Sequence, residues 1–178
     1  MTKIKCTLGT ISKAIEGIER YQKELDKKVH IFMEKLAEVG IEEADIRFGR
    51  AIYDGTNDVI VDKTPTWIND NKLVVSASGK SITFIEFGAG VHYSGEPHPK
   101  AGEFGYERGG FGYHLGRLDT WRYTGDPGTN GEVITDGKHK GEVKTHGNPA
   151  NRALYDSAKE MREQMIKIAE EVFGNDRH

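Results

Sequence analysis

From Ile11 the apolar residues fall at Ile11, Ile15, Ile18, Leu25, Val29, Phe32 and Leu36, an alternating four-three spacing with Gln22 as its one polar interruption. That period predicts an amphipathic helix of about seven turns. Thr10 or Ser12 offers a hydroxyl oxygen to the unpaired first-turn amides, and Gly40 offers a left-handed stop. The opposite face, with Lys13, Glu16, Glu19, Lys23, Asp26, Lys27, Glu34 and Lys35, reads as a solvated charged surface.

Between Asp45 and Phe87 the pattern shortens to β-branched and aromatic runs bounded by Asp54-Gly55 and Ser78-Gly79-Lys80, which predicts three or four antiparallel strands. The clearest expectation is a hairpin joining Lys72–Ala77 to Ser81–Phe87 through a turn at Gly79. In that hairpin Ile82, Phe84 and Glu86 share one face, with Thr83, Ile85 and Phe87 on the other. Trp67, after Pro65, is expected in the core. The last periodic stretch, Leu154, Ala158, Met161, Met165, Ile168 and Val172, predicts a second amphipathic helix that Gly174 ends. Asn148 is expected to cap it, with Pro149 at the first helical position.

The segment 88–147 differs in kind, holding 15 of the 22 glycines and seven of the 16 aromatic residues. Flexible linkers carry few aromatics, whereas an arm that folds against a partner needs large apolar anchors. Tyr93, Phe104, Tyr106, Phe111, Tyr113, Trp121 and Tyr123 are therefore the candidate interaction residues. The arm is expected to project and to order in an assembly, and excising Pro97 to Lys140 to leave a folded core. The whole is read as one α+β domain spanning 1–178. A small antiparallel β-sheet is packed with long N-terminal and C-terminal α-helices, and a long Gly-rich loop insertion at 88–147 precedes the last helix.

A formal charge of -3 argues against a protein whose business is gripping phosphates, which takes a surplus of Lys and Arg. Cys6 is the single cysteine, so no intrachain disulfide forms. The first residues lack the apolar stretch of an export signal, and no aliphatic run is long enough to span a bilayer, so the cytoplasm is the expected place of synthesis.

Phe84-Ile85-Glu86-Phe87-Gly88-Ala89-Gly90 resembles the Ile-Glu-Phe-Gly-Thr-Gly signature of a phage protein family. Thr145-His146-Gly147-Asn148-Pro149-Ala150, followed by Leu154-Tyr155, is similar to that family's Gly-x-Pro-Ala lead into its C-terminal helix. The family is the head-tail joining or tail-completion group typified by gene product ten of phage HK ninety-seven. Its order of long helix, small sheet, variable loop and C-terminal helix covers essentially all of this chain. The resemblance implies a non-enzymatic virion protein of the phage neck or tail: a subunit of a ring, commonly a hexamer, contacting neighbouring connector and tail tube proteins. DNA only passes through the lumen, and no membrane, cofactor, metal or catalytic residue is implied. Tail terminator, connector adaptor and minor capsid component remain open as roles. The size of the arm is where this chain departs from the family.

The residues of the insertion also suggest two other chemistries. His92, His98, His114, His139 and His146, with Glu96, Glu103, Asp119 and Asp136, are the residue types of a metal-dependent hydrolase or nuclease, but no two of the histidines show the short or i, i+4 spacing that preorganises ligands. Lys100, Arg108, Arg117 and Arg122 interleave with aromatics as a base-stacking surface would, yet eight acids between Glu96 and Glu142 offset them, and a protein interface uses the same anchors. No phosphate-binding Gly-Lys-Ser/Thr and no nucleophile elbow occurs.

Overall fold

The computed structural model describes residues 8–53, 55–90, 96–107, 110–111, 114–115, 120–128 and 131–174. Helix α1 (Leu8–Gly49) has 42 residues and is about 63 Å long at 1.5 Å per residue. The stop expected at Gly40 is not used. Helix α4 (Ala153–Phe173) lies antiparallel to α1, and a Cβ added at Gly40 would stand 2.6 Å from Sδ of Met161. The glycine therefore serves as the close-approach point of two helices. Past it, Ile41, Ala44 and Phe48 supply the buried face that keeps the helix going. Along the pair, Phe32 meets Phe173 with ring centroids 5.8 Å apart, Lys35 pairs with Glu171, and Arg47 meets Asp156 at 2.8 Å.

The predicted hairpin is rearranged. Strand β1 (Ile60–Val61) pairs with β4 (Ala77–Ser78), β2 (Thr66–Asn69) pairs with β3 (Lys72–Val74), and Ile82–Phe87 forms helix α2. The residues of α2 are good strand formers, and tertiary partners override that preference. The carboxylate of Asp58 accepts the backbone N–H groups of Lys80 and Ser81, both at 2.9 Å, and the Ser81 hydroxyl. Those bonds hold the start of a helical turn. The turn then places Ile82 and Ile85, three apart, on the core formed by Ile41, Ala44, Phe48, Val61 and Ala153. Trp67 lies half-buried on β2 with its ring 4.5 Å from that of His30 on α1.

The two ends of the insertion are joined. Strand β5 (Ala89–Gly90) pairs with β11 (Gly147–Asn148). Inside lie a short helix α3 (Ala101–Phe104), the pair β6 (Gly110–Phe111) and β7 (His114–Leu115), and a three-stranded sheet. In that sheet β10 (Val143–Thr145) runs between β8 (Trp121–Tyr123) and β9 (Glu132–Val133), with Val143 1% exposed. The molecule is thus α+β, with long N- and C-terminal helices and small antiparallel sheets. No helix among the described residues is long and apolar enough to cross a membrane.

Candidate functional site

The start of α4 shows how the two halves of the chain are locked together. Asn148 does not cap it. Its side-chain amide donates to the carbonyls of Phe84 (2.9 Å) and Pro149 (3.2 Å), and the helix begins four residues after Pro149, at Ala153. The cap position falls to Arg152, a non-glycine residue in the left-handed region at φ 58°. The orphan first-turn amides of Leu154 and Tyr155 instead donate to Glu86, at 2.9 and 3.0 Å.

Glu86 is 4% exposed and comes from the far end of α2, so a buried carboxylate sits at the positive end of the α4 dipole. The carbonyls of Ile85 and Glu86 in turn accept the N–H groups of Asn151 and Arg152, at 2.9 and 3.0 Å. The C-terminus of α2 and the N-terminus of α4 therefore satisfy each other. Gly88 follows at φ 80°, where a Cβ would stand 2.7 Å from the Ala150 nitrogen. Only glycine lets the two segments approach this closely.

His98, 5% exposed, closes the site from the insertion. Its Nδ1 accepts the Lys100 N–H at 3.0 Å, which puts the ring proton on Nε2, 3.2 Å from Oε1 of Glu86. Phe87 packs against His98, Phe104 and Tyr106, with ring centroids at 4.3, 5.2 and 4.6 Å, and Tyr155 meets His98 edge-on at 5.3 Å.

Of the predicted interaction residues, Phe104 and Tyr106 thus lie on Phe87 of their own chain, Phe104 with 55% of its surface exposed. Trp121 and Tyr123 are half-buried on β8, and the Tyr123 hydroxyl donates to the Asp126 carbonyl at 2.6 Å. Phe111 is placed only as backbone in β6, and Tyr93 and Tyr113 lie outside the described residues.

The residues of the metal hypothesis are dispersed. Both ring nitrogens of His98 are engaged; His139 Nδ1 lies 3.0 Å from Glu142; Glu96 meets Arg152 at 3.3 Å; Glu103 meets Lys100 at 2.7 Å. His146 and Asp136 are exposed, His114 is placed as backbone in β7, and His92 and Asp119 lie outside the described residues. Among the described residues no three His, Cys, Asp or Glu side chains gather as a metal site would require.

Two carboxylates tie loops to the fold. The Ser81 hydroxyl, then the Ser81 and Lys80 amides, hold the Asp58 carboxyl at about 2, below the usual 3.8. The Gly128 amide and the Thr56 hydroxyl hold Asp126 below the ordinary carboxylate range, joining the insertion to the segment after α1.

Glu86 was read from the sequence as one side of a strand. The signal of another role was a lone acid in the apolar run Phe84-Ile85-Glu86-Phe87, since a carboxylate buried there requires donors. Comparison with known proteins returns no match: no family model, no curated sequence and no solved structure matches the chain.

Proposed function

We propose that the chain is a structural virion protein of a tailed phage, a ring subunit acting in tail completion or head-tail joining. The observation that supports this reading is the meeting of residues 84–90 with 145–150. These two segments carry the family resemblance, lie far apart in sequence, and form one junction through the β5–β11 pairing, the Gly88–Ala150 approach and the Glu86 cap of α4.

In this reading the junction is the rigid base of the insertion, and the subunit does no bond chemistry. Self-association forms the ring, for which the resemblance suggests six copies, and the insertion contacts a neighbouring connector, neck or tail tube protein. Short strands whose outer edges have no strand partner among the described residues, such as β2 and β9, offer backbone groups for strand addition.

Inactivating the gene in the phage or prophage that encodes it, and imaging the lysate by electron microscopy, tests the proposal. The expected result is unjoined heads and tails, or tails of abnormal length, restored by supplying the chain in trans. A normal yield of complete virions would overturn it.

A further inference from the structure

The seam that α1 lays against α4 continues beyond the end of α4. The last turn of α4 reaches back to Phe32 and Lys35 through Phe173 and Glu171. N-terminal to that contact the same seam runs on through Ile11, Ile15, Ile18, Gln22 and Leu25, and its apolar members are 44%, 51%, 67% and 39% exposed. Leu25 borders a recess shared with Phe173, so the uncovered stretch is continuous with the α1–α4 interface.

We infer that a second copy of this chain covers it, with the two α1 helices parallel and in register as a short coiled coil over residues 11–25. Three features select this occupant. First, Ile15, Gln22 and Val29 alternate with Ile11, Ile18 and Leu25 in a strict 3.5-residue repeat, the period of a seam between two helices; a helix lying on a globular core follows 3.6. Within residues 11–25 one layer holds Ile15 and Gln22 and the other Ile11, Ile18 and Leu25, so the strand number rests on Gln22, a single polar seam residue of the kind that sets register and oligomer state.

Second, Gln22 interrupts the seam. In a parallel, in-register pair it faces the partner's own glutamine, and the two amides can hydrogen-bond. In an antiparallel pair it faces isoleucine or leucine and is buried without a partner. Third, Glu19 and Asp26 flank one edge of the seam. Antiparallel packing sets these two acidic edges against each other, whereas parallel packing sets them against Ala14 and Tyr21 of the other copy.

The coil adds two helices already held by their own folds, so association does not bear the cost of nucleating them. The inference stands on α1 alone, not on the function proposed above, and its test uses only the purified full chain. Sedimentation across a range of concentrations is expected to show mass rising from one chain to two. Ile18→Glu should hold the protein at one chain with an unchanged circular dichroism spectrum.

In a Cys6→Ser background, Ile15→Cys and Leu25→Cys should each cross-link to itself on mild oxidation. Cross-linking only when the two variants are mixed would mean antiparallel packing and would overturn the arrangement. So would a mass of three or more chains that Ile18→Glu returns to one. A wild type that stays monomeric, or self-association that survives Ile18→Glu, would overturn the surface itself.

Discussion

Glu86 and Asp58 each hold the start of a helix that is not their own, and each makes a separate prediction. Glu86→Gln keeps the shape but removes the charge that faces the α4 amides, and is expected to cost about 2 kcal/mol. Glu86→Ala also strands the Leu154 and Tyr155 amides and is expected to cost about 3–5 kcal/mol. Urea unfolding at neutral pH measures both, and a loss below about 0.5 kcal/mol would mean that α4 does not depend on this cap.

For Asp58 the prediction is one of pH. Its folded-state value of about 2 lies below the ordinary 3.8, so its contribution is complete above 3.8 and is lost as pH falls through about 2. Asp58→Asn should therefore be less stable than wild type at neutral pH, with the gap closing over that acid window. A gap that stays constant down to pH 2 would show that the Ser81 and Lys80 bonds do not favour the charged form.

Within α1 the same residue type is expected to act in opposite directions at two positions. At Gly40 a side chain meets Met161, so Gly40→Leu forces α1 and α4 apart and should cost about 1–3 kcal/mol. At Gly17 an added Cβ meets nothing within 4 Å, so Gly17→Ala should stabilise the local helix by up to about 1 kcal/mol. Amide exchange across residues 12–24 reads the second effect, and global unfolding reads the first.

The two long helices were legible because each carries its apolar stripe in its own residues, from Ile11 to Leu36 and from Leu154 to Val172. Their boundaries were less so. Gly40 looks like a stop until α4 occupies the space a side chain would need, and Asn148-Pro149 looks like a start until Asn148 is drawn to the Phe84 carbonyl.

Across the whole molecule the buried core, Ile41, Ala44, Phe48, Val61, Ile85 and Ala153, sits where α1, α2, α4 and the β1–β4 pair meet. None of residues 9–20 is buried, so replacing Ile11, Ile15 and Ile18 together by alanine should leave the urea midpoint of the dilute protein unchanged. Excising Pro97 to Lys140, expected from the sequence to spare the core, should instead lower stability by about 3 kcal/mol or more. The excision strips His98 from Glu86, and His98, Phe104 and Tyr106 from Phe87. A fully stable truncation would mean that the insertion contributes nothing at its base.

The sequence by itself determined the α+β class, the two amphipathic helices and the glycine-rich insertion, because periodicity and composition are local properties. Only the tertiary structure decided that Ile82–Phe87 is helical, that α4 starts at Ala153 and that the insertion is closed at its root. Each of those outcomes depends on a hydrogen-bonding group or a close contact supplied from far along the chain, Asp58 to Ser81, Glu86 to Leu154, Gly88 to Ala150. Local propensity carries no record of such partners.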